Sequence, residues 1–302
     1  MKQENNGIWK FSSLLPPLLP VFQLTSGEGS TRLIRKEGIY FKCEFDNPTG
    51  SVKDRGLCFQ IAKAKENGYD RAVISSSGNA AISASFYTKL HNILLTVFVS
   101  PKIKKSKADK IPPSVKVVTT KKPVSLAHKT ALKEGSYNLR PSKDPFGPVG
   151  FRTISFEVIK DLPQADSIFI PVSSGTTLLG VYQGFARQKL FPAIHAVQTA
   201  YLHPVSSQFD RKFVVENYSL ADALVARHLP LEKKIISVIR KTGGWGWTIG
   251  NRDMLKYREK LLNYKLSTSF EGAACYAAVI KARENGFPYK NPVCLLTGKY
   301  YS

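Results

Sequence analysis

Short apolar, β-branched runs alternate with stretches of helical spacing along most of the chain. Arg71–Ser75, Leu94–Val99, Val115–Thr119, Ser167–Val172, Ala193–Gln198 and Pro292–Leu296 read as strands. Asn79–Leu90, Thr177–Leu190, Arg252–Leu262 and Glu271–Asn285 carry apolar residues at helical intervals. The strand runs are mostly apolar rather than strictly alternating, as expected of strands covered on both faces. The pattern therefore predicts an α/β fold with mainly parallel sheets sandwiched between helices. In such sheets ligands sit beyond the carboxyl ends of the strands, where strands hand over to helix N-termini. Two strands end that way in small polar loops, Ser75-Ser76-Ser77-Gly78-Asn79 and Ser173-Ser174-Gly175-Thr176-Thr177. Both sequences suit loops that expose backbone N–H groups to an anion.

Composition narrows the function classes. The 302 residues are 43% hydrophobic, enough for one large core or two modest ones. No apolar run approaches the ~20 residues of a membrane span. Met1–Lys10 is polar and Leu14–Leu24 is broken by three prolines, which does not resemble a signal peptide. Cys43, Cys58, Cys275 and Cys294 are scattered, with no CxxC and no histidine at ligand spacing. That argues for free thiols, no metal site and a cytoplasmic location. The formal charge of +22 comes from 44 basic against 22 acidic residues. The basic residues are spread out, with one local run at Lys102–Lys110 and no interleaved Arg and aromatic residues. This argues against a nucleic-acid partner and for a lysine-rich solvated surface that can attract small anions.

Three segments can carry chemistry. In Asn47-Pro48-Thr49-Gly50-Ser51-Val52-Lys53-Asp54-Arg55-Gly56, Pro and Gly fix a turn and Ser51 can cap a helix starting near Lys53. A lysine at a helix start is well placed to react with an aldehyde, although most lysines of so basic a chain are solvated surface. Ser75–Ala81 is either a capped strand-to-helix turn or a carboxylate cradle in which Asn79 adds a directed hydrogen bond. Pro171–Gly180 is either a plain turn or a phosphate cradle at the positive end of a helix dipole.

Taken in order, these segments resemble the fold-type-II enzymes dependent on pyridoxal 5'-phosphate (PLP), the tryptophan-synthase-β superfamily, and most closely its threonine synthase branch. Gly27-Glu28-Gly29-Ser30-Thr31, Phe151–Glu157, Ala221–Leu224, Thr242-Gly243-Gly244, Glu271–Ala274 and Leu295–Lys299 extend the likeness over most of the chain. The resemblance implies two α/β/α domains with PLP in the cleft between them. Residues 45–140 would form the smaller domain with the asparagine loop. Residues 1–44 and 141–302 would form the larger domain, which binds the cofactor phosphate. Lys53 would hold PLP as a Schiff base, and Asn79 would bond the ring hydroxyl. Ser173, Ser174, Gly175, Thr176 and Thr177 would wrap the phosphate, and Thr297 would face the pyridine nitrogen. Ser76, Ser77 and Gly78 would hold a substrate carboxylate, and Glu271 would stand near the ring.

The implied activity is that of a PLP-dependent lyase converting O-phospho-L-homoserine to L-threonine and phosphate, in a homodimer. The alternative within enzymes is β-replacement or β-elimination on serine-type substrates, as in cysteine or cysteate synthases and serine/threonine dehydratases. A rival from another class is a cofactor-binding homologue without turnover, against which the intact Lys53, Asn79 and Thr297 speak. Three departures stand out. The phosphate loop has a single glycine, and Arg32 follows Thr31 where relatives have proline. Most important, Asp144-Pro145-Phe146-Gly147 puts Gly147 where threonine synthases carry an arginine that helps hold the substrate phosphate; Arg140, Lys143 or Arg152 could substitute. Trp245 and Trp247, set among glycines, read as packing residues or as a lid.

Overall fold

The computed structural model describes residues 7–300 apart from 77, 102, 104–107, 225, 227 and 228. In chain order, β1 (Leu33–Lys36) and β2 (Ile39–Cys43) precede α1 (Lys53–Glu66), β3 (Arg71–Ser75), α2 (Asn79–Leu90) and β4 (Leu94–Val99). Next come β5 (Lys116–Thr119), α3 (Pro123–Glu134), β6 (Tyr137–Asn138), α4 (Arg152–Asp161), β7 (Ser167–Pro171) and α5 (Thr176–Arg187). The chain then runs through β8 (Ala193–Thr199), α6 (Glu232–Lys241), β9 (Gly246–Ile249), α7 (Asn251–Asn263), α8 (Phe270–Glu284) and β10 (Pro292–Leu296).

These elements group into two compact units. The first takes the chain up to Ser30 together with Asn47–Gly150; the second takes Thr31–Asp46 and Phe151–Tyr300. The segment up to Ser30 thus belongs with the asparagine-loop unit, whereas the sequence reading assigned it to the other. Its attachment is a matter of side chains. Trp9 is 1% exposed, its ring lies 5.7 Å from that of Phe59, and its Nε1–H donates to Leu24 O at 2.8 Å.

In the first unit the strands run in the order β5-β4-β3-β6, and every pair is parallel. Val73 and Phe98 pack there against Ala127 and Ala131 of α3. Pro123 opens α3 with its preset φ, and Gly135 closes it in the left-handed region at φ +61°. The sheet of the second unit has the order β1-β2-β10-β7-β8-β9, and only the β1–β2 hairpin is antiparallel. Every residue of β7, β9 and β10 is buried, which is why those runs are apolar without alternation. In α6, Ile235, Ile236, Val238 and Ile239 face inward while the lysines stay outside. The core gathers Phe41, Phe169, Trp247, Met254 and Tyr276. Trp247 is a strand residue, 2% exposed, and Trp245 packs on Phe209 and Phe287. Packing, not a lid, is what these two rings do.

Candidate active site

In the first unit Lys53 is the first residue of α1. The turn before it closes with Gly50 N–H donating to Asn47 O at 2.7 Å, and Gly50 sits at φ +84°, a conformation that suits glycine. Ser51 Oγ accepts the Lys53 N–H at 3.3 Å. Asn47 Oδ1 accepts the Gly29 N–H at 2.9 Å, tying the turn to the Gly27–Ser30 segment. Asp54, in the first turn of α1, accepts both the N–H and the O–H of Thr49, at 2.7 and 2.5 Å. Its carboxyl is fully buried, and burial pushes its pKa up to about 6.

The second predicted loop leaves the end of β3. Ser76 Oγ accepts the Gly78 N–H at 3.3 Å, Gly78 is the extended residue before α2, and Asn79 opens the helix. Ser77 lies outside the described residues. The Asn79 Oδ1 is buried and has no hydrogen-bond partner among the described residues. An orphaned buried carbonyl costs about 1–3 kcal/mol, a cost that a polar group of a bound ligand would offset. α1 and α2 pack side by side, so Lys53 and Asn79 head two adjacent helices.

In the second unit the loop after β7 begins where the ladder ends, with Val172 N–H donating to Val197 O at 2.9 Å. Ser173 and Ser174 are half-buried, and Ser174 Oγ and Thr176 Oγ1 share a hydrogen bond of 3.1 Å. Gly175 stands just before α5 at φ +83°; a Cβ there would lie 2.0 Å from Ile235 Cδ1. Thr176 and Thr177 begin the twelve-residue α5. The first N–H groups of a helix have no intrahelical acceptors and sit at the positive end of its dipole, so this turn suits a phosphate. Thr297 follows β10, which pairs with β7 through Cys294 and Phe169. Thr268 Oγ1 and Ser269 N both donate to Gly298 O, at 2.9 and 2.8 Å, and so fix the segment that carries Thr297.

Several supporting residues escaped the sequence reading. Thr268 and Ser269 have no signature beyond ordinary polar character; Asp54 and Glu28 stand inside quoted motifs, but the motifs gave them no role. Glu271, expected near the ring, accepts the Ala223 N–H at 3.1 Å and so holds the Ala221–Leu224 turn. Gly147 has a steric reason to be glycine: a Cβ would lie 2.2 Å from Pro141 O and 2.6 Å from Pro141 Cα. Asp144 braces the same loop, taking Gln60 Nε2–H and Tyr137 O–H at 2.5 Å each and Phe146 N–H at 2.8 Å. Arg152 donates to Gln183 Oε1 at 3.0 Å, and desolvation lowers its pKa from the ordinary arginine value.

A carbonyl oxygen awaiting a polar ligand, a lysine heading the neighbouring helix and a phosphate-type turn all fit PLP. Comparisons with known proteins agree. The family model described as pyridoxal-phosphate dependent enzyme matches residues 20–298. A threonine synthase of Methanosarcina acetivorans is 26% identical over 99% of this chain and 80% of its own length. An L-threonine ammonia-lyase of Geobacter sulfurreducens is 29% identical over 54% of this chain and 42% of its own. The crystal structure of a pyridoxal 5'-phosphate-dependent aspartate racemase shares the fold, with a TM-score of 0.78 at 21% identity over 98% of this chain and 94% of that one. The chain belongs to the family of pyridoxal-phosphate dependent enzymes.

Proposed function

We propose that this chain is a threonine-synthase-like lyase that hydrolyses and rearranges O-phospho-L-homoserine to L-threonine and phosphate. The observation that carries the reading is the unpartnered Asn79 Oδ1 at the head of α2, next to the helix that Lys53 heads. Lys53 Nζ would bond the cofactor aldehyde and, once freed by an incoming amino acid, take the α-proton. Its amine, desolvated beside the bound ring, would lose its proton more readily than a solvated lysine. Asn79 Oδ1 would accept the ring hydroxyl. Ser173, Ser174, Gly175, Thr176 and Thr177 would hold the cofactor phosphate. Ser76 and Gly78, with Ser77, would hold the substrate carboxylate. PLP, when bound, supplies an electron sink for the substrate α-carbon. Thr297 is a neutral hydroxyl and does not fix a proton on the pyridine nitrogen as a carboxylate does. A sink so tempered favours loss of a leaving group over transamination.

One observation favours a second reading, β-replacement or β-elimination on serine-type substrates. The backbone around Gly147 leaves no room for a side chain, so the loop offers no arginine to a substrate phosphate. A missing charge-assisted contact of that kind costs about 1.5–3 kcal/mol.

The two readings part in a steady-state assay with O-phosphohomoserine, O-acetylserine and serine. Phosphate and threonine in equal amounts support the first. Product from the serine derivatives alone overturns it in favour of the second. Asn79→Ala is expected to lower PLP affinity about tenfold or more; unchanged binding would remove Asn79 from the site.

A further inference from the structure

α1 and α2 meet along a polar seam. Asp54 and Cys58 stand one turn apart on α1, and Ser83 and Tyr87 one turn apart on α2; all four are buried, as is Glu28. Tyr87 O–H donates to Glu28 Oε2 at 3.0 Å and Cys58 S–H to Oε1 at 3.1 Å. Thr25 O–H and the N–H groups of Ile8 and Ser26 donate to the same carboxylate. At the other end of the seam, Asp54 holds both polar groups of Thr49, and Ser83 Oγ faces its carboxyl without forming a well-aligned hydrogen bond. Two buried carboxylates between packed helices lower stability relative to an apolar seam. Their placement is specific: Asp54 directly follows Lys53, and Ser83 lies one turn beyond Asn79.

We propose that Asp54 is the positioning residue for Lys53: by gripping Thr49 it fixes the Asn47–Gly50 turn and the first turn of α1, and so presents the lysine amine to the cofactor aldehyde. This rests on the PLP reading above. In the step concerned, Lys53 Nζ attacks the aldehyde carbon, a C=N bond forms, and the aldehyde oxygen leaves as one water with two hydrogens from the amine. No oxidant or reductant takes part, and Asp54 exchanges no atom with the reactants.

The groups facing Asp54 are Thr49 from its own turn, Ser83 and Tyr87 from α2, Cys58 from α1, and Glu28. Burial raises the pKa values of Cys58 and Tyr87, which keeps both uncharged at neutral pH. Glu28 adds to the upward push that desolvation gives Asp54, while Thr49 and Ser83 oppose it. Below about pH 6 one oxygen of Asp54 becomes a donor and its grip on Thr49 weakens.

The test follows attachment of added PLP to the cofactor-free full chain. Aliquots are trapped with borohydride, the pyridoxyl peptide is quantified by mass spectrometry between about pH 5 and pH 8, and each variant's fold is checked by thermal unfolding. Asp54→Ala is expected to slow labelling of Lys53 about tenfold, and Thr49→Val severalfold. The double variant is expected to be no slower than Asp54→Ala, because both act through one contact. Asp54→Asn, which keeps one carbonyl acceptor, is expected to stay within about threefold of the wild type at pH 8 and to lose the extra fall in rate below about pH 6. Wild-type labelling rates in folded Asp54→Ala and Thr49→Val overturn the proposal. If Asp54→Ala does not fold, an unchanged rate in Thr49→Val overturns it alone. Absence of any adduct on Lys53 in the wild type defeats the PLP reading itself, and the proposal with it.

Discussion

Replacing Gly175 by alanine tests how tightly the loop after β7 is built. Two costs arise from the structure. The residue sits at φ +83°, where an L side chain costs roughly 1–2 kcal/mol. The new Cβ would also fall 2.0 Å from Ile235 Cδ1 and 2.9 Å from its Cγ1, an overpacking worth about 1–3 kcal/mol. Together they amount to about 2–5 kcal/mol, which lowers the midpoint of the second unit by roughly 5–15 °C. If the loop yields instead, Ser174 and Thr176 shift and PLP affinity falls about ten- to a hundredfold. Circular-dichroism melting and PLP titration read the two outcomes. A partner variant separates the costs, because Ile235→Val removes the nearest methyl. Against Ile235→Val alone, the alanine penalty is expected to shrink toward the backbone part, about 1–2 kcal/mol. A Gly175→Ala protein that melts and binds PLP as the wild type does would refute this picture of the loop.

Other expectations concern buried charge and backbone fit. Lys42 is fully buried, with Nζ 2.7 Å from Glu157 Oε2 and 2.6 Å from Thr31 O. Lys42→Met is expected to cost about 3–5 kcal/mol in urea unfolding, and adding Glu157→Leu to restore most of it; an additive double loss would refute the pairing. His195 is fully buried, its Nδ1 accepts Trp245 N–H and Trp247 Nε1–H, and burial lowers its pKa to about 3. The unfolded chain takes up this proton near pH 6.5 and the folded one does not. Stability is therefore fully present above about pH 6.5 and falls by about 1.4 kcal/mol per unit down to about pH 3. Asp54, raised to about 6, has the opposite sign: its contribution is complete below about pH 4 and lost as pH rises to about 6. His195→Gln is expected to flatten the acid limb by about one proton, and an unchanged slope in urea titrations would count against the assignment. Gly147→Arg is expected to unfold or open its loop rather than gain phosphate binding, because the contact at 2.2 Å is with backbone. A well-folded variant with improved use of O-phosphohomoserine refutes this.

Where burial on both faces leaves a continuous apolar run, the elements were legible almost to the residue. Arg71–Ser75, Leu94–Val99 and Pro292–Leu296 are strands with the bounds that their runs suggest. The β1–β2 hairpin is partly exposed and charged, and gave no comparable run. β9 was hidden because Gly246 and Trp247 stand among turn-forming glycines, although neighbouring β8 supplies the pairing that makes Gly246–Ile249 a strand. Both small polar loops leave a strand and open a helix, as Ser, Gly, Thr and Asn after an apolar run suggest. The assignment of the first 30 residues was not, since it depends on where Trp9 and Glu28 find partners rather than on local pattern.

The anchoring role of the charged residues is hard to read for a physical reason: the prior for an Asp, Glu or Lys is a solvated surface. Among the described residues, however, six acids are buried (Glu28, Glu44, Asp54, Glu157, Asp210 and Glu271), against only Lys42 and Arg55 of the Lys and Arg side chains. Their work is shared. Glu28 takes the N–H of Ile8 and Ser26, Asp54 that of Thr49, Asp210 those of Lys212 and Thr248, and Glu271 that of Ala223. A carboxylate is the side chain best suited to this, because it accepts from several donors at once and its bonds are charge-assisted. Using acids as loop anchors withdraws negative charge from a chain that already carries +22, so its surface is more basic than its composition says. An exposed excess of positive charge favours the approach of anions in general, through a long-range attraction that salt screens.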